Sequence, residues 1–164
     1  IILTANLTKP WKNLRKEFIL NAKYHTLEQK LERLKEQVIL LEKIKQEVKS
    51  VSDLEKDYRK EALVERLFQI GLEAVLDIGR TIISMENLPR PLENKDIFKI
   101  LGKAGIFSED FGKRAEGMGG FRNILVHGYM IIEEKRVFEN LQQLGLFKEF
   151  IEFILLYLQK KKVA

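Results

Sequence analysis

An antiparallel bundle of four to five α-helices is the fold class this sequence predicts, and three observations predict it. Proline occurs only at positions 10, 89 and 91, so nothing between Pro10 and Pro89 forces a long break. Apolar residues recur at three- and four-residue spacing through long stretches, the mark of amphipathic helices. No stretch of useful length alternates apolar and polar residues as a half-buried strand would, and there is no internal repeat.

Taken in order, residues 1–23 read as a basic N-terminal appendage, with Trp11, Phe18 and Ile19 available to dock it. Residues 24–164 read as one helical domain. The first long helix is expected over 24–49, where Leu27, Leu31, Leu34, Val38, Leu41, Ile44 and Val48 form one stripe. Ser50 to Asp53 breaks it, and Ser52 with Glu55 is the capping-box signal for the next start.

The second helix is expected from about Asp53 to Met85. Leu63, Leu67, Ile70, Ala74 and Ile78 make one apolar face, and Val64, Phe68, Leu72, Val75 and Leu76 make another, roughly opposite. A helix apolar on two sides is buried on two sides, which calls for another helix or a second subunit. Between the faces runs a polar stripe of Arg66, Gln69, Glu73, Asp77 and Arg80. It reads equally as a solvated strip of charge pairs and as one wall of a polar cleft.

Asn87-Leu-Pro-Arg-Pro is a loop. A short helix is expected over 94–102, ended by Gly102 and Gly105. Ser108 can cap the next helix, with Glu109 and Asp110 in its first turn and Gly128 near its end. Glu133 and Glu134 begin a last helix, anchored by Val137, Leu141, Leu144, Ile151, Ile154, Leu155 and Leu158 and kinked at Gly145. Lys160 to Lys162 suit the negative end of its dipole.

The totals narrow the function. The 164 residues include no cysteine, so disulfides and thiolate metal sites are excluded, which suits a reducing cytoplasm. Twenty-nine Lys and Arg against 24 Asp and Glu give +5, a mild bias toward an anionic partner such as RNA. No apolar run reaches the length of a membrane span, and Ile1-Ile2-Leu3 is too short for a signal-peptide core. The first methionine is Met85, so the expectation is that the chain lacks its true start or begins at an unusual one.

The stretch that carries chemistry is Gly119-Gly-Phe-Arg-Asn-Ile-Leu-Val-His-Gly-Tyr129. Arg122, Asn123, His127 and Tyr129 set a fixed cation, an amide, a titratable base and a phenol within eight residues. On a regular helix Arg122 and His127 stand about 140° apart and about 7.5 Å along the axis, so they do not share a face. They converge if Arg122 bends along the axis, if His127 lies at a fraying end beside Gly128, or if a symmetric dimer brings two chains to one cleft. The plainer readings are a structural histidine and an Arg122 ion pair to Glu73 or Asp77.

Arg-Asn-Ile-Leu-Val-His-Gly-Tyr resembles the signature of the HEPN domains of the HepT family: Arg, four residues, His, one residue, Tyr. Val64 to Gly79 is similar to that family's second helix, Leu101-Gly-Lys-Ala-Gly-Ile-Phe to its following segment, and Val137 onward to its last helix. The resemblance spans roughly residues 24–160. Glu133 stands where the family pattern suggests Asp.

The resemblance implies a homodimeric helical toxin paired with an antitoxin, a minimal nucleotidyltransferase of the MNT type. It implies metal-independent cleavage of RNA with no cofactor, and with two histidines and no cysteine there is no evident metal site. Arg122 and His127 would be catalytic. His127 would move the proton of the RNA's own 2′-OH and Arg122 would hold the phosphate. Asn123, Glu73 and Asp77 would support them. Tyr129 would be the residue the partner adenylylates to silence the toxin. The alternative is a non-catalytic nucleotide- or partner-binding module that works with a separate nucleotidyltransferase; a plain structural dimer is the weakest reading.

Overall fold

The structure, a computed structural model, describes residues 8–127 and 132–163, with side chains described for 13–127 and 132–162. Those residues form seven helices: α1 (Thr8–Glu47), α2 (Val51–Glu55), α3 (Tyr58–Met85), α4 (Asn94–Lys103), α5 (Glu109–Val126), α6 (Glu134–Gln142) and α7 (Gly145–Val163). The all-α class is as expected. The count is higher because two expected helices are each divided.

The expected 53–85 helix is divided at Lys56 and Asp57. Asp57 caps α3 by accepting from the Lys60 N–H at 3.1 Å. The cap of α2 also differs from the expected Ser52–Glu55 pair. Ser50 is the extended residue before α2, and the Asp53 carboxylate accepts from the Lys49 and Ser50 N–H groups at 2.7 and 2.9 Å. Those bonds, Lys49 first, hold Asp53 below the usual carboxylate range. The last helix is divided at Gln143 and Leu144, so Gly145 opens α7 instead of kinking one helix. Ser108 caps α5 as expected, accepting from the Phe111 N–H at 3.1 Å.

Helix α1 starts before residue 24. It runs unbroken from Thr8, because Pro10 sits in the first turn, where its missing N–H costs no intrahelical bond. Residues 8–23 of the expected appendage are therefore continuous with the first helix of the domain and are distinguished by burial. Side chains 13–23 are exposed, and Leu27 is the first buried one. Phe18 and Ile19 do not dock onto the bundle, standing 76% and 45% exposed.

Helix α3 is the axis of the bundle. At about 100° per residue its apolar positions form one continuous arc of about 240°, so the two expected faces adjoin instead of opposing each other. This one chain covers that arc. Helix α1 lies antiparallel along one flank, joined by Lys30 to Thr81 (3.2 Å) and by Lys60 to Glu47 (3.4 Å). On the other flank Phe68 meets the edge of Phe121 of α5 at 5.3 Å and lies 6.3 Å from Phe147 of α7. A methyl at Gly79 would stand 2.4 Å from Ile97 of α4, so that packing needs glycine. Only Leu63 of the two expected faces is half exposed. The case for a second subunit that rested on α3 is thereby removed, since its own chain supplies the cover.

Near the C-termini of α3 and α7 the Tyr157 hydroxyl donates to Glu86 at 2.6 Å, and Lys161 pairs with the same carboxylate at 2.7 Å. Burial alone pushes Glu86 up, but the bonds from Lys161 and Tyr157 outweigh it and hold the carboxyl below its ordinary value of 4.5. A carboxyl lowered by folding contributes stability above its unfolded value, and that stability is lost as pH falls through the folded value. Urea midpoints are therefore expected to drop between about pH 6 and about pH 3, with a shallower drop in Glu86→Gln. Identical pH dependence in the two proteins would contradict the assignment.

Candidate functional site

The site is assembled where α5 crosses the polar stripe of α3. Burial of the apolar arc turns the stripe outward, into a groove that runs along α1 and α3. Lys30 and Arg33 of α1 line that groove with Arg66, Gln69, Glu73 and Asp77 of α3. The stripe is thus both a strip of paired polar groups and a groove wall. Arg66 donates to Gln69 at 3.0 Å, and Arg80 lies 3.5 Å from Asp77.

Helix α5 approaches closely because of its glycines. A methyl at Gly119 would stand 3.2 Å from the Asn94 backbone carbon and the Lys95 nitrogen, and one at Gly112 would stand 3.0 Å from the Phe98 carbonyl oxygen. Backbone cannot yield as a side-chain tip can, so glycine sets the α4–α5 separation. That approach delivers Arg122 and Asn123 to the stripe.

Arg122 donates from Nε to Glu73 Oε1 at 2.6 Å, with Nη2 2.5 Å from the same oxygen. Of the two acids expected to meet it, Glu73 does; Asp77 pairs with Arg80. Both Arg122 and Glu73 stay partly exposed, at 24% and 37% of their side chains, so the pair sits at a rim. No partner is found for Nη1 of Arg122 among the described residues.

Asn123 is held by a relay. Arg80 Nη2 donates to Asn94 Oδ1 at 2.6 Å, and Asn94 Nδ2 donates to Asn123 Oδ1 at 3.0 Å. The cation fixes which way the Asn94 amide faces, and Asn94 in turn fixes Asn123. This orientation directs Asn123 to present its own NH₂ as a donor. Nothing in the sequence singles out Asn94; its role comes from a residue 29 positions away, and no local pattern signals it.

His127 is the C-cap of α5. Its N–H closes the last turn on Asn123 at 3.0 Å, while its ψ of 35° leaves helical geometry, and the residue is exposed. The separation of about 140° that a regular helix would impose therefore does not bind its side chain. Tyr129 lies outside the described residues. Glu134, the first residue of α6, lies near Glu61 and Glu65 of α3; burial first, then Glu61 and Glu134, pushes the Glu65 carboxyl up. No cluster of three or more His, Cys, Asp or Glu suited to a metal occurs among the described residues. No described helix is long and apolar enough to cross a membrane.

A family model described as "Ribonuclease HepT-like" matches residues 27–154. The chain belongs to the HepT-like family. This HepT-like chain is 30% identical over 116 residues to a tRNA nuclease HepT of Aphanizomenon flos-aquae, covering 68% of itself and 79% of that protein. In fold it is similar to YutE, a cytosolic protein of Bacillus subtilis (TM-score 0.70, 19% identity, 84% of this chain and 91% of that one). It is also similar to a tri-AMPylated HEPN toxin of Shewanella oneidensis in complex with an MNT antitoxin (TM-score 0.59, 24% identity, 83% and 96%). The HEPN fold expected from the signature is thus the fold observed.

Proposed function

We propose that this HepT-like chain is the toxin of a toxin–antitoxin pair and cleaves RNA without a metal, using Arg122 and His127. One observation carries the reading: a guanidinium held in place from α3 lies five residues from an exposed imidazole released from the end of the same helix. The tRNA nuclease relative supports the substrate class.

The chemistry follows from these groups. His127 takes the proton of a ribose 2′-OH, and the oxygen attacks the adjacent phosphorus. The bond to the 5′-oxygen breaks, and that oxygen takes up a proton. The products are a 2′,3′-cyclic phosphate and a 5′-hydroxyl. Imidazole suits this work because it changes charge near neutral pH. Arg122, anchored by Glu73, offers its Nη1 edge to the phosphate as charge builds on it. Asn123 presents its amide to the same phosphate or orients His127. Asp77 acts at a distance, by fixing Arg80 and through it Asn94.

The partner in this reading is an MNT-type nucleotidyltransferase, as in the Shewanella complex. Tyr129 is its acceptor. The phenol oxygen attacks the α-phosphorus of ATP and pyrophosphate leaves. The attached AMP puts bulk and negative charge beside Arg122, where it competes with substrate phosphate for the guanidinium. The AMPylated state of the Shewanella toxin supports this role.

The Glu73 bonds favour a second reading as well. A guanidinium already committed to a carboxylate suits a binding module that presents nucleotide phosphates to the nucleotidyltransferase without turnover. A two-fold homodimer is proposed on the family resemblance, with the cleft shared between chains.

Three outcomes are expected. With EDTA present the parent chain cuts labelled RNA, His127→Ala loses about 10²–10⁴-fold in rate, and Arg122→Lys is impaired because Lys lacks the planar fork. Undiminished cutting by His127→Ala would move the protein to the binding-module reading. Tyr129→Phe is expected to cut RNA nearly as the parent does yet gain no AMP mass when incubated with partner and ATP; AMP on that variant would reassign the acceptor. Light scattering at micromolar concentration is expected to give twice the chain mass of 19.2 kDa, and a mass near 19.2 kDa would exclude the dimer.

A further inference from the structure

Residues 8–23 prolong α1 beyond the bundle as a rod of about 24 Å, at about 1.5 Å per residue. The family match begins only at residue 27, so the rod lies outside it. It also holds most of the chain's excess charge. Lys9, Lys12, Arg15, Lys16 and Lys23 stand against Glu17 alone within residues 1–23, a net +4 of the chain's +5, so everything after residue 23 contributes only +1. Arg15, Lys16 and Lys23 are exposed.

The candidate cleft has cations of its own, Lys30, Arg33 and Arg66, but the arginines nearest the signature are paired. Arg122 is neutralised by Glu73 and Arg80 by Asp77. At the root of the rod Lys162 pairs with Glu28 at 2.6 Å, which sets the Lys160–Lys162 end of α7 beside it. Phe18, 76% exposed, stands among the rod's cations, and Leu14 is 56% exposed. Cations that track a backbone, interleaved with an aromatic ring that can stack on a base, form a sequence-tolerant surface for single-stranded nucleic acid.

We propose that residues 8–23 are an RNA-docking arm, whose cations hold substrate phosphates remote from the cleft and whose Phe18 stacks on an unpaired base. The proposal rests on RNA being the substrate class, which makes RNA the polyanion this chain meets; like charge disfavours a second copy of the arm, and an anionic membrane is separated by the test.

The test measures binding of a fluorescent tRNA by anisotropy across a salt series, using full-length chains that carry His127→Ala so that cleavage does not intervene. The arm variant changes Lys9, Lys12, Arg15, Lys16 and Lys23 to Gln. A control changes five exposed lysines of the bundle, Lys43, Lys49, Lys99, Lys103 and Lys113, to Gln. The arm variant is expected to bind on the order of tenfold or more weakly, with a slope of log K against log salt shallower by up to about 3.5, at about 0.7 for each phosphate no longer neutralised. The control is expected to stay near the parent, and Phe18→Ala to weaken binding with its slope unchanged. With His127 restored, the arm variant is expected to raise KM for tRNA and leave cleavage of a dinucleotide as in the parent.

Equal affinity and slope in arm variant and parent would overturn the proposal, as would a control variant equally impaired. Retention of the parent on phosphatidylglycerol vesicles without tRNA binding would overturn it in favour of a membrane. A doubled mass abolished by Phe18→Ala, with tRNA binding intact, would overturn it in favour of a second copy. If the parent cuts no RNA while the arm still governs tRNA binding, the arm stands and the cleavage reading falls; cutting with an indifferent arm gives the reverse.

Discussion

Phe68, Leu72, Val75 and Leu76 on one flank of α3, and Leu67, Ala74 and Ile78 on the other, must leave water together. A single apolar arc of about 240° cannot be covered by one neighbour. Helix α1 takes one flank, and α4, α5 and α7 take the other. What remains is the polar stripe, which faces out because the rest is occupied. The location of the candidate cleft is a consequence of hydrophobic burial elsewhere on the same helix, at about 25 cal/mol per Å² of apolar surface removed from water.

The second constraint is separation. Gly112 and Gly119 allow the backbones of α4 and α5 to come together at distances that an added methyl would not fit without displacement. That closeness lets Asn94 reach Asn123 and seats Arg122 against Glu73. The site residues are therefore oriented by partners on other helices, while His127 is freed by the end of its own.

Charge is distributed unevenly along the molecule. The bundle after residue 23 is close to neutral, and two arginines at its groove are paired with carboxylates, whereas the first 23 residues hold nearly all the excess. Pairing with Glu73 keeps the Arg122 guanidinium oriented and offsets its charge. The reach of α1 past the bundle sets apart the residues that hold most of the surplus charge.

Much of this is legible in the sequence. The helical class follows from sparse proline and three–four apolar spacing, and the Arg122–His127 signature is written in contiguous residues. The Ser108 cap and the glycine-punctuated end of α4 are local effects that a few neighbouring residues determine. The breaks at Asp57 and Leu144, the continuity of α1 through residue 23 and the α2 cap at Ser50 depart from the sequence expectation, because each is a contest between nearly equivalent local signals. The choice of Glu73 over Asp77, the relay through Asn94 and the covering of α3 by its own chain are decided by tertiary structure alone. Those depend on which helices meet, and pairings across 29 to 51 residues leave no periodic trace in the chain.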